Sequence, residues 1–442
     1  MFNSMRGAGL KPVKVGICGL GTVGGGTFNV LKRNAEEISR RAGRQIMVEQ
    51  VGARRTNPDC DTKGTQVTDN IFDIAKNPEI DIVVELIGGY DVAKELVMTA
   101  IENGKHVVTA NKALIAVHGN EIFEAAQKRN VMVAFEASVA GGIPIIKAMR
   151  EGLSANKINW LAGIINGTGN FILTEMRDKG RDFDDVLQEA QALGYAEADP
   201  TFDVEGIDAA HKLTILASIA FGIPLQFEKA FTEGISKITR DDVQYAEELG
   251  YRIKHLGISR RTEEGIELRV HPTLIPESAL IANVNGVMNA VLVDGDAVGQ
   301  TMYYGAGAGA EPTASSIVAD LIDVVRTLTA DRDNRVPHLA FQPSELSDTP
   351  VLPIENSETA YYLRMNALEK PGVLAMVTSI LGEQGINIEA IIQKATSEEQ
   401  VPVIILTQSV VEQKMNDAIT QIEGLDEIVG SVTRIRVENF AS

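Results

Sequence analysis

The run Gly19-Leu-Gly-Thr-Val-Gly24 limits the folds open to this chain more sharply than any other stretch. It sits between an apolar run, Val13–Cys18, and a segment of helical spacing over residues 22–39. In that setting Gly19 permits a tight turn, Gly21 lets main chain approach a pyrophosphate, and Gly24 lets the helix pack closely on the strand. The helix start then presents unpaired N–H groups to an anion. A glycine trio of this spacing carries little alone, but here it opens an alternating array. Apolar strands are expected at 46–53, 81–87, His106–Thr109 and 131–135, with helices at 92–102 and 120–129. Strands alternating with helices predict an α/β, Rossmann-type parallel sheet over residues 1–136.

The texture changes after Glu136. Segments of alternating polarity (160–165, 267–272, 287–293) mix with long helical ones (183–193, Ile207–Phe221). These predict an α+β domain over residues 137–302, an open antiparallel sheet with helices on one face. A glycine-rich loop from Tyr303 to Ala310 precedes a helix at 312–328, and residues 303–335 are expected to return to the first domain. Residues 336–357, rich in Pro, Ser and Asp, read as a linker. Residues 358–442 restart as strand, helix, strand, strand, helix, strand: 360–366, Val373–Glu383, 386–394, 401–407, 411–421 and 429–437. That order is the ferredoxin-like βαββαβ pattern.

Composition excludes several classes of function. A net charge of −19, from 60 acidic against 41 basic residues, disfavours nucleic acid as a partner, since binding it rests on Lys and Arg. No apolar run is long enough to span a bilayer, and residues 1–12 read as a loose tail without the apolar core of a signal peptide. Two cysteines cannot build a disulfide framework, which fits a cytoplasmic setting. No Cys-x-x-Cys, His-Glu-x-x-His or EF-hand loop points to a catalytic metal.

The residues with chemistry cluster in Gly194-Tyr-Ala-Glu-Ala-Asp-Pro-Thr-Phe-Asp-Val-Glu-Gly-Ile-Asp-Ala-Ala-His-Lys212. Glu197, Asp199, Asp203, Glu205 and Asp208 precede one lysine, and Asp208 shares a helical face with Lys212. On a solvated surface such a pair is worth only ~0.3–0.5 kcal/mol. His211 points away from its neighbour Lys212 and reads as structural. Lys112, in Thr109-Ala-Asn-Lys112, follows a strand end, the edge where open α/β sheets bind ligands. The plainer alternative is a surface lysine in a loop. The second strand ends Gly52-Ala53-Arg54-Arg55. NAD sites usually carry an acidic residue there, whereas arginines suit a 2′-phosphate, so Arg54 and Arg55 favour NADP(H) over NAD(H) unless they are merely solvated.

These motifs, in this order, resemble the homoserine dehydrogenases of the regulated bacterial type. Beyond those quoted, the resemblance rests on Glu136-Ala-Ser-Val-Ala-Gly-Gly-Ile-Pro144, Asn166-Gly-Thr-Gly-Asn-Phe171, His271-Pro-Thr-Leu-Ile-Pro276 and Asn283-Val-Asn-Gly286. Leu368-Glu-Lys-Pro-Gly-Val-Leu374 with Asn387-Ile388 is similar to an ACT domain, an amino-acid-sensing module. The resemblance implies reversible reduction of L-aspartate 4-semialdehyde to L-homoserine with NAD(P)H. It implies Lys212 as proton donor, Asp208 as the group that orients it, and Lys112 touching both cofactor and substrate. Glu197 would bind the substrate α-ammonium, with Asp203 and Asp208 also in the substrate pocket. Gly21, Thr22 and Val23 would line the pyrophosphate, beside Gly19 and Gly24, and Gly307 would reach the cofactor from the returning loop. A structural Na+ or K+ would be held by Glu136, Val139, Gly141 and Ile143, largely through carbonyls.

The resemblance also implies a homodimer or homotetramer with L-threonine as inhibitor, bound around Pro371, Gly372, Asn387 and Ile388. A chain ending near Ser357 is then expected to stay active and to lose that inhibition. Two rival functions are another NAD(P)-dependent reductase of an amino-acid-derived carbonyl and a non-catalytic nucleotide and amino-acid sensor, which would need no proton donor. Aspartate semialdehyde dehydrogenase would need an activated cysteine, and neither Cys18, in a strand, nor Cys60, in a polar loop, is placed as one.

Overall fold

The structure, a computed structural model, describes residues 11–55, 57–328, 335–394 and 399–440. The expected N-terminal tail lies outside these but for its last two residues, as do residues 329–334 of the returning segment. Six strands form a wholly parallel sheet: β1 (Val13–Cys18), β2 (Ile46–Gly52), β3 (Gln66–Thr68), β4 (Ile82–Glu85), β5 (His106–Thr109) and β6 (Val133–Ala134). Their order is β3-β2-β1-β4-β5-β6, so the winding reverses at β1 and a crevice opens beyond the carboxyl ends of β1 and β4. β4 and β5 are buried throughout, and their centres read as short apolar runs with polar residues only at the ends.

Two helices differ from expectation. Residues 22–39 lie in two helices, Thr22–Arg33 and Ala35–Ala42, because Asn34 departs from helical geometry between them. The helix expected at 120–129 starts instead at Lys112, where the Asn111 side chain accepts a hydrogen bond from Leu114 N at 3.1 Å and caps it.

The second sheet begins with β7 (Ile158–Ile164), β8 (Phe231–Thr232), β9 (Tyr251–Arg261), β10 (Ile266–Pro276), β11 (Met288–Gly295) and β12 (Gly299–Ala306). Nothing in the sequence pattern marks β9. Its residues 253–259 are all buried, polar ones included, so no period of two appears. Polar side chains there are held by bonds to main chain: Lys254 Nζ donates to the Val284 carbonyl at 2.6 Å, Ser259 Oγ to the Glu267 carbonyl at 2.6 Å, and His255 Nε2 lies 3.0 Å from the Glu233 carbonyl. β12 takes in the first part of the expected glycine-rich loop. The helices Gly167–Lys179 and Arg240–Glu248 were also not anticipated.

The C-terminal βαββαβ unit is as expected in order: β13 (Glu358–Leu368), Val373–Glu383, β14 (Ile388–Gln393), β15 (Gln400–Thr407), then the short β16 (Val410–Val411), Glu412–Glu423 and β17 (Ile428–Val437). It does not stand apart. β17 pairs antiparallel with β13 on one side and parallel with β10 on the other, Thr273 opposite Arg436 and Leu274 opposite Val437. One sheet therefore runs β12-β11-β7-β9-β10-β17-β13-β15-β14. Ile253 and Leu274 share an apolar core with Tyr362, Leu406 and Val437. Buried ion pairs cross the seam. Arg269 bonds Glu438 at 2.5 Å, Arg436 bonds Glu233 at 2.7 Å, and Arg364 bonds Asp242 at 2.6 Å. The segment expected as a free linker is laid on the second domain. Ile266 N donates to the Pro350 carbonyl at 2.9 Å, and Leu339 and Val351 are buried.

The helix Ala310–Thr327 returns to the first domain. A Cβ on Gly26 would stand 2.4 Å from the Ala310 carbonyl, so only glycine admits this approach. Ala314, Ile317 and Leu321 join the core of the parallel sheet. The helix Ile207–Phe221 is a core helix, with every residue from 208 to 221 buried save Lys212. Among the described residues, no helix is long and apolar enough to cross a membrane, and no cluster of His, Cys, Asp and Glu could hold a metal ion.

Candidate active site

The crevice is bounded by three loops of the parallel sheet and one bend of the second domain. After β1, Gly19 adopts a φ of 102°, and a Cβ there would meet the Leu86 carbonyl at 2.6 Å. A Cβ on Gly24 would fall 2.0 Å from the Gly19 carbonyl. Gly21 has no atom within 4 Å of its Cβ position and faces open space. It is the N-cap of Thr22–Arg33 and no side chain caps that helix, so the N–H groups beside Thr22 and Val23 stay available to an anion. Arg54 and Arg55 are exposed just beyond β2.

After β4, a buried carboxylate outside the sequence motifs builds the next loop. Glu85 accepts from Ile87 N at 2.9 Å, Gly88 N at 3.1 Å and Thr109 Oγ1 at 2.6 Å. Its signal in the sequence was a lone acid closing an apolar strand. Thr109 thus ties β5 to β4. Asn111 donates to the Gly89 carbonyl at 2.7 Å while capping the next helix. Together they deliver Lys112 as the first residue of that helix, with its amine 2.9 Å from Asp208 Oδ1.

The carboxylate-rich bend brings the other partners. Lys212 Nζ donates to Asp208 Oδ2 at 2.6 Å and to the Ile165 carbonyl at 2.7 Å. Asn166 Nδ2 donates to Asp203 Oδ1 at 2.7 Å and to Asp208 Oδ2 at 2.9 Å. Asp208 is therefore held between two lysines and an amide. The Asp208 and Lys212 side chains are only 8% and 12% exposed, which removes the solvated surface pair as an explanation. Glu197 is exposed and acts on Lys112 through space. His211 points away from Lys212, as expected. It stacks on Phe227 with centroids 4.2 Å apart, and Nε2 lies 3.3 Å from the Tyr90 hydroxyl.

The electrostatics separate the two lysines. Burial pushes Lys212 below the usual lysine range, and Lys112 adds to the effect, although Asp208 opposes it. Asp208 lifts Lys112 above that range. Burial disfavours a charged Asp208, yet the two ammonium groups hold its carboxyl well below the ordinary range. Burial raises Asp203 and moves His211 down to about 4, so that imidazole is neutral at pH 7. Cys18 and Cys60 are both pushed up, chiefly by burial, and neither is a ready nucleophile.

The remaining predicted residues fall in two places. Glu136, Val139, Gly141 and Ile143 form a buried turn in which Ala140 and Gly141 both take positive φ. The Glu136 carboxylate accepts from Ile146 N at 2.9 Å and Lys147 N at 2.8 Å, and the Gly141 carbonyl accepts from Ser316 Oγ at 2.6 Å. Gly307 packs on this turn, its carbonyl 2.5 Å from a Cβ placed on Gly141. In the C-terminal unit, Pro371 and Gly372 line a pocket of about 280 Å³ with Lys370, Val373 and Gln393. Asn387 and Ile388 lie elsewhere, at the other end of β14, where the Asn387 amide donates to Gln408 at 3.3 Å. The four are not one site within this chain.

Comparison with known proteins adds to this geometry. A family model described as "Homoserine dehydrogenase" matches residues 144–322, its "NAD binding domain" matches 19–136, and an "ACT domain" matches 361–424. The chain is similar to the homoserine dehydrogenase of Pseudomonas aeruginosa, 74% identical over 98% of this chain and 100% of that one. It is 56% identical to that of Neisseria gonorrhoeae over 98% of this chain and 100% of that one. Among solved structures, a homoserine dehydrogenase from Thiobacillus denitrificans superposes with a TM-score of 0.93 at 67% identity, covering 98% of this chain and 100% of that one. A hyperthermophilic archaeal homoserine dehydrogenase in complex with NADPH superposes at 0.62 with 26% identity, covering 73% and 99%.

Proposed function

The chain belongs to the homoserine dehydrogenase family, and on that premise we propose that it reduces L-aspartate 4-semialdehyde to L-homoserine, with Lys212 delivering the proton. The observation that carries this reading is the seat of Lys212, a lone amine on a buried helix, held by Asp208 and the Ile165 carbonyl at the crevice. A bound NAD(P)H supplies the hydride. As charge grows on the aldehyde oxygen, the Lys212 ammonium stabilises it and then gives up its proton. Burial makes Lys212 the readier of the two lysines to part with a proton, while the more exposed Lys112 stays charged to hold substrate and cofactor. Asp208 orients Lys212, Asp203 lines the substrate pocket, and Glu197 receives the substrate α-ammonium.

The open Gly21 turn and the uncapped helix start fit a dinucleotide pyrophosphate. Gly19, Gly24 and Gly307 shape its bed, and exposed Arg54 and Arg55 favour NADP(H) through a 2′-phosphate. The turn of Glu136, Val139, Gly141 and Ile143 fits a monovalent cation. Glu136 is pushed up to about 8 by burial and by Asp320, and hard carbonyl oxygens suit Na+ or K+. The pocket at Pro371 and Gly372 supports threonine as effector. Asn387 and Ile388 would join it only across a contact between copies, in keeping with a homodimer or homotetramer. The enzyme is proposed to work in the cytoplasm.

Reduction needs Lys212 protonated and oxidation needs it neutral. Reduction should therefore fall, and homoserine oxidation rise, as pH passes the depressed Lys212 value, below the ~10.4 of free lysine. Nicotinamide absorbance followed in both directions across pH checks this, and superimposable profiles would remove Lys212 as the acid. The same assay, comparing NADPH with NADH and sodium with tetramethylammonium buffer, ranks the cofactors and tests the ion. Millimolar threonine should inhibit, since allosteric coupling is commonly ~1–3 kcal/mol. Unchanged rates would exclude that effector.

A further inference from the structure

We infer that Asn166 is a positioning residue for this reaction: one side-chain amide that fixes Asp203 and Asp208 as a pair and thereby keeps Lys212 aimed for proton transfer. The inference rests on Lys212 as the acid. Asn166 is buried, in the turn between β7 and the helix Gly167–Lys179. Its Oδ1 accepts from Gly169 N at 2.8 Å. That bond decides the amide's orientation, because only the oxygen can accept, so both N–H groups must face the other way. They meet the two carboxylates, Asp203 Oδ1 at 2.7 Å and Asp208 Oδ2 at 2.9 Å. The same Asp208 oxygen accepts from Lys212 at 2.6 Å, and the second partner of Lys212 is the carbonyl of Ile165, the residue before Asn166. A single turn of main chain thus supplies both the hook on the ammonium and the brace on its carboxylate.

Charge explains why this group is an amide. Asp203 and Asp208 face Lys112 and Lys212, which leaves the cluster balanced, with neutral His211 alongside and exposed Glu197 acting on Lys112 from outside. A third carboxylate would repel both acids, and an ammonium would compete with Lys212 for Asp208. An amide joins two carboxylates without adding charge. Helix capping alone would explain only Oδ1, and serine caps equally well.

The test uses full-length N166S and N166D assayed in both directions across pH. N166S keeps a cap but cannot bridge, so its melting temperature should stay within a few degrees of the parent. Its kcat should fall about 10–100-fold, the scale of a misplaced catalytic group, with a smaller change in KM. In N166D the new carboxyl, while protonated, still donates one of the amide's two hydrogen bonds. Reduction by N166D should therefore hold up best at low pH and fall as that carboxyl ionises, at a pH where the parent is flat. Folded N166S with the parent's kcat and profiles would overturn the inference, and so would an equal, pH-independent loss in both variants. If the parent's own profiles coincide in the two directions, Lys212 as acid fails instead, and the N166D fall alone then decides the bridge.

Discussion

Replacing Lys212 by alanine should lower turnover in aldehyde reduction about 10²–10⁴-fold, the usual worth of a positioned proton donor. The fold should survive. Asp208 would keep Lys112 at 2.9 Å and Asn166 at 2.9 Å, so no buried carboxylate is left without a partner. Loss of kcat with an unchanged thermal melt would locate the effect in the chemistry. Near-normal turnover in a folded K212A variant would reduce the lysine to one half of a buried ion pair. Lys112→Ala is the informative contrast. Its side chain is 41% exposed and lies at the crevice edge, so its loss should raise KM for substrate and cofactor along with any fall in kcat.

Cutting the chain after Ser357 should unfold or aggregate the remainder rather than yield an active, uninhibited enzyme. The sequence suggested a detachable module, and the sheet shows why detachment is costly. Without β17, the Thr273–Leu274 stretch of β10 loses its neighbouring strand. Arg269, 1% exposed, loses Glu438 and keeps Glu267 at 3.0 Å, and Asp242, wholly buried, loses Arg364 and Tyr362. Breaking one buried pair by removing a partner costs about 3–5 kcal/mol. The loss at Asp242, with the weakened pairing of Arg269 and the removal of five of the nineteen buried residues of a shared apolar core, takes up much of the 5–15 kcal/mol that holds a typical domain together. Soluble yield and a thermal melt of the truncated chain would check this. A soluble product melting within a few degrees of the full chain, with unchanged kcat, would show the module to be independent. Regulation is better probed by substitution at Lys370, beside the Pro371–Gly372 turn, than by truncation.

Much of the first domain was legible because its rules are local. Gly19, Gly21 and Gly24 each answer a steric demand within a few residues, and apolar strands between amphipathic helices declare a parallel sheet. The Ile207–Phe221 helix was legible in its bounds. β9 was not, because burial on both faces erases the alternation by which strands are recognised. The site was legible in its charged members and not in its neutral ones. Lys112, Asp208 and Lys212 stand out as charges in telling places. Asn166, Thr109 and the Ile165 carbonyl matter only through what they touch, and Glu85 through three donors from its own loop and the neighbouring strand.

The order of the folding units, the dinucleotide turn and the lysine that closes the acidic bend were thus readable from residues alone, since each depends on near neighbours in the chain. Tertiary structure alone decided that Asp208 would sit between two lysines from different domains. It also decided that one amide would join two carboxylates, and that the last strand would seal the catalytic sheet. Those facts depend on groups 37 to 169 residues apart, held at hydrogen-bond distance by burial that no local pattern encodes.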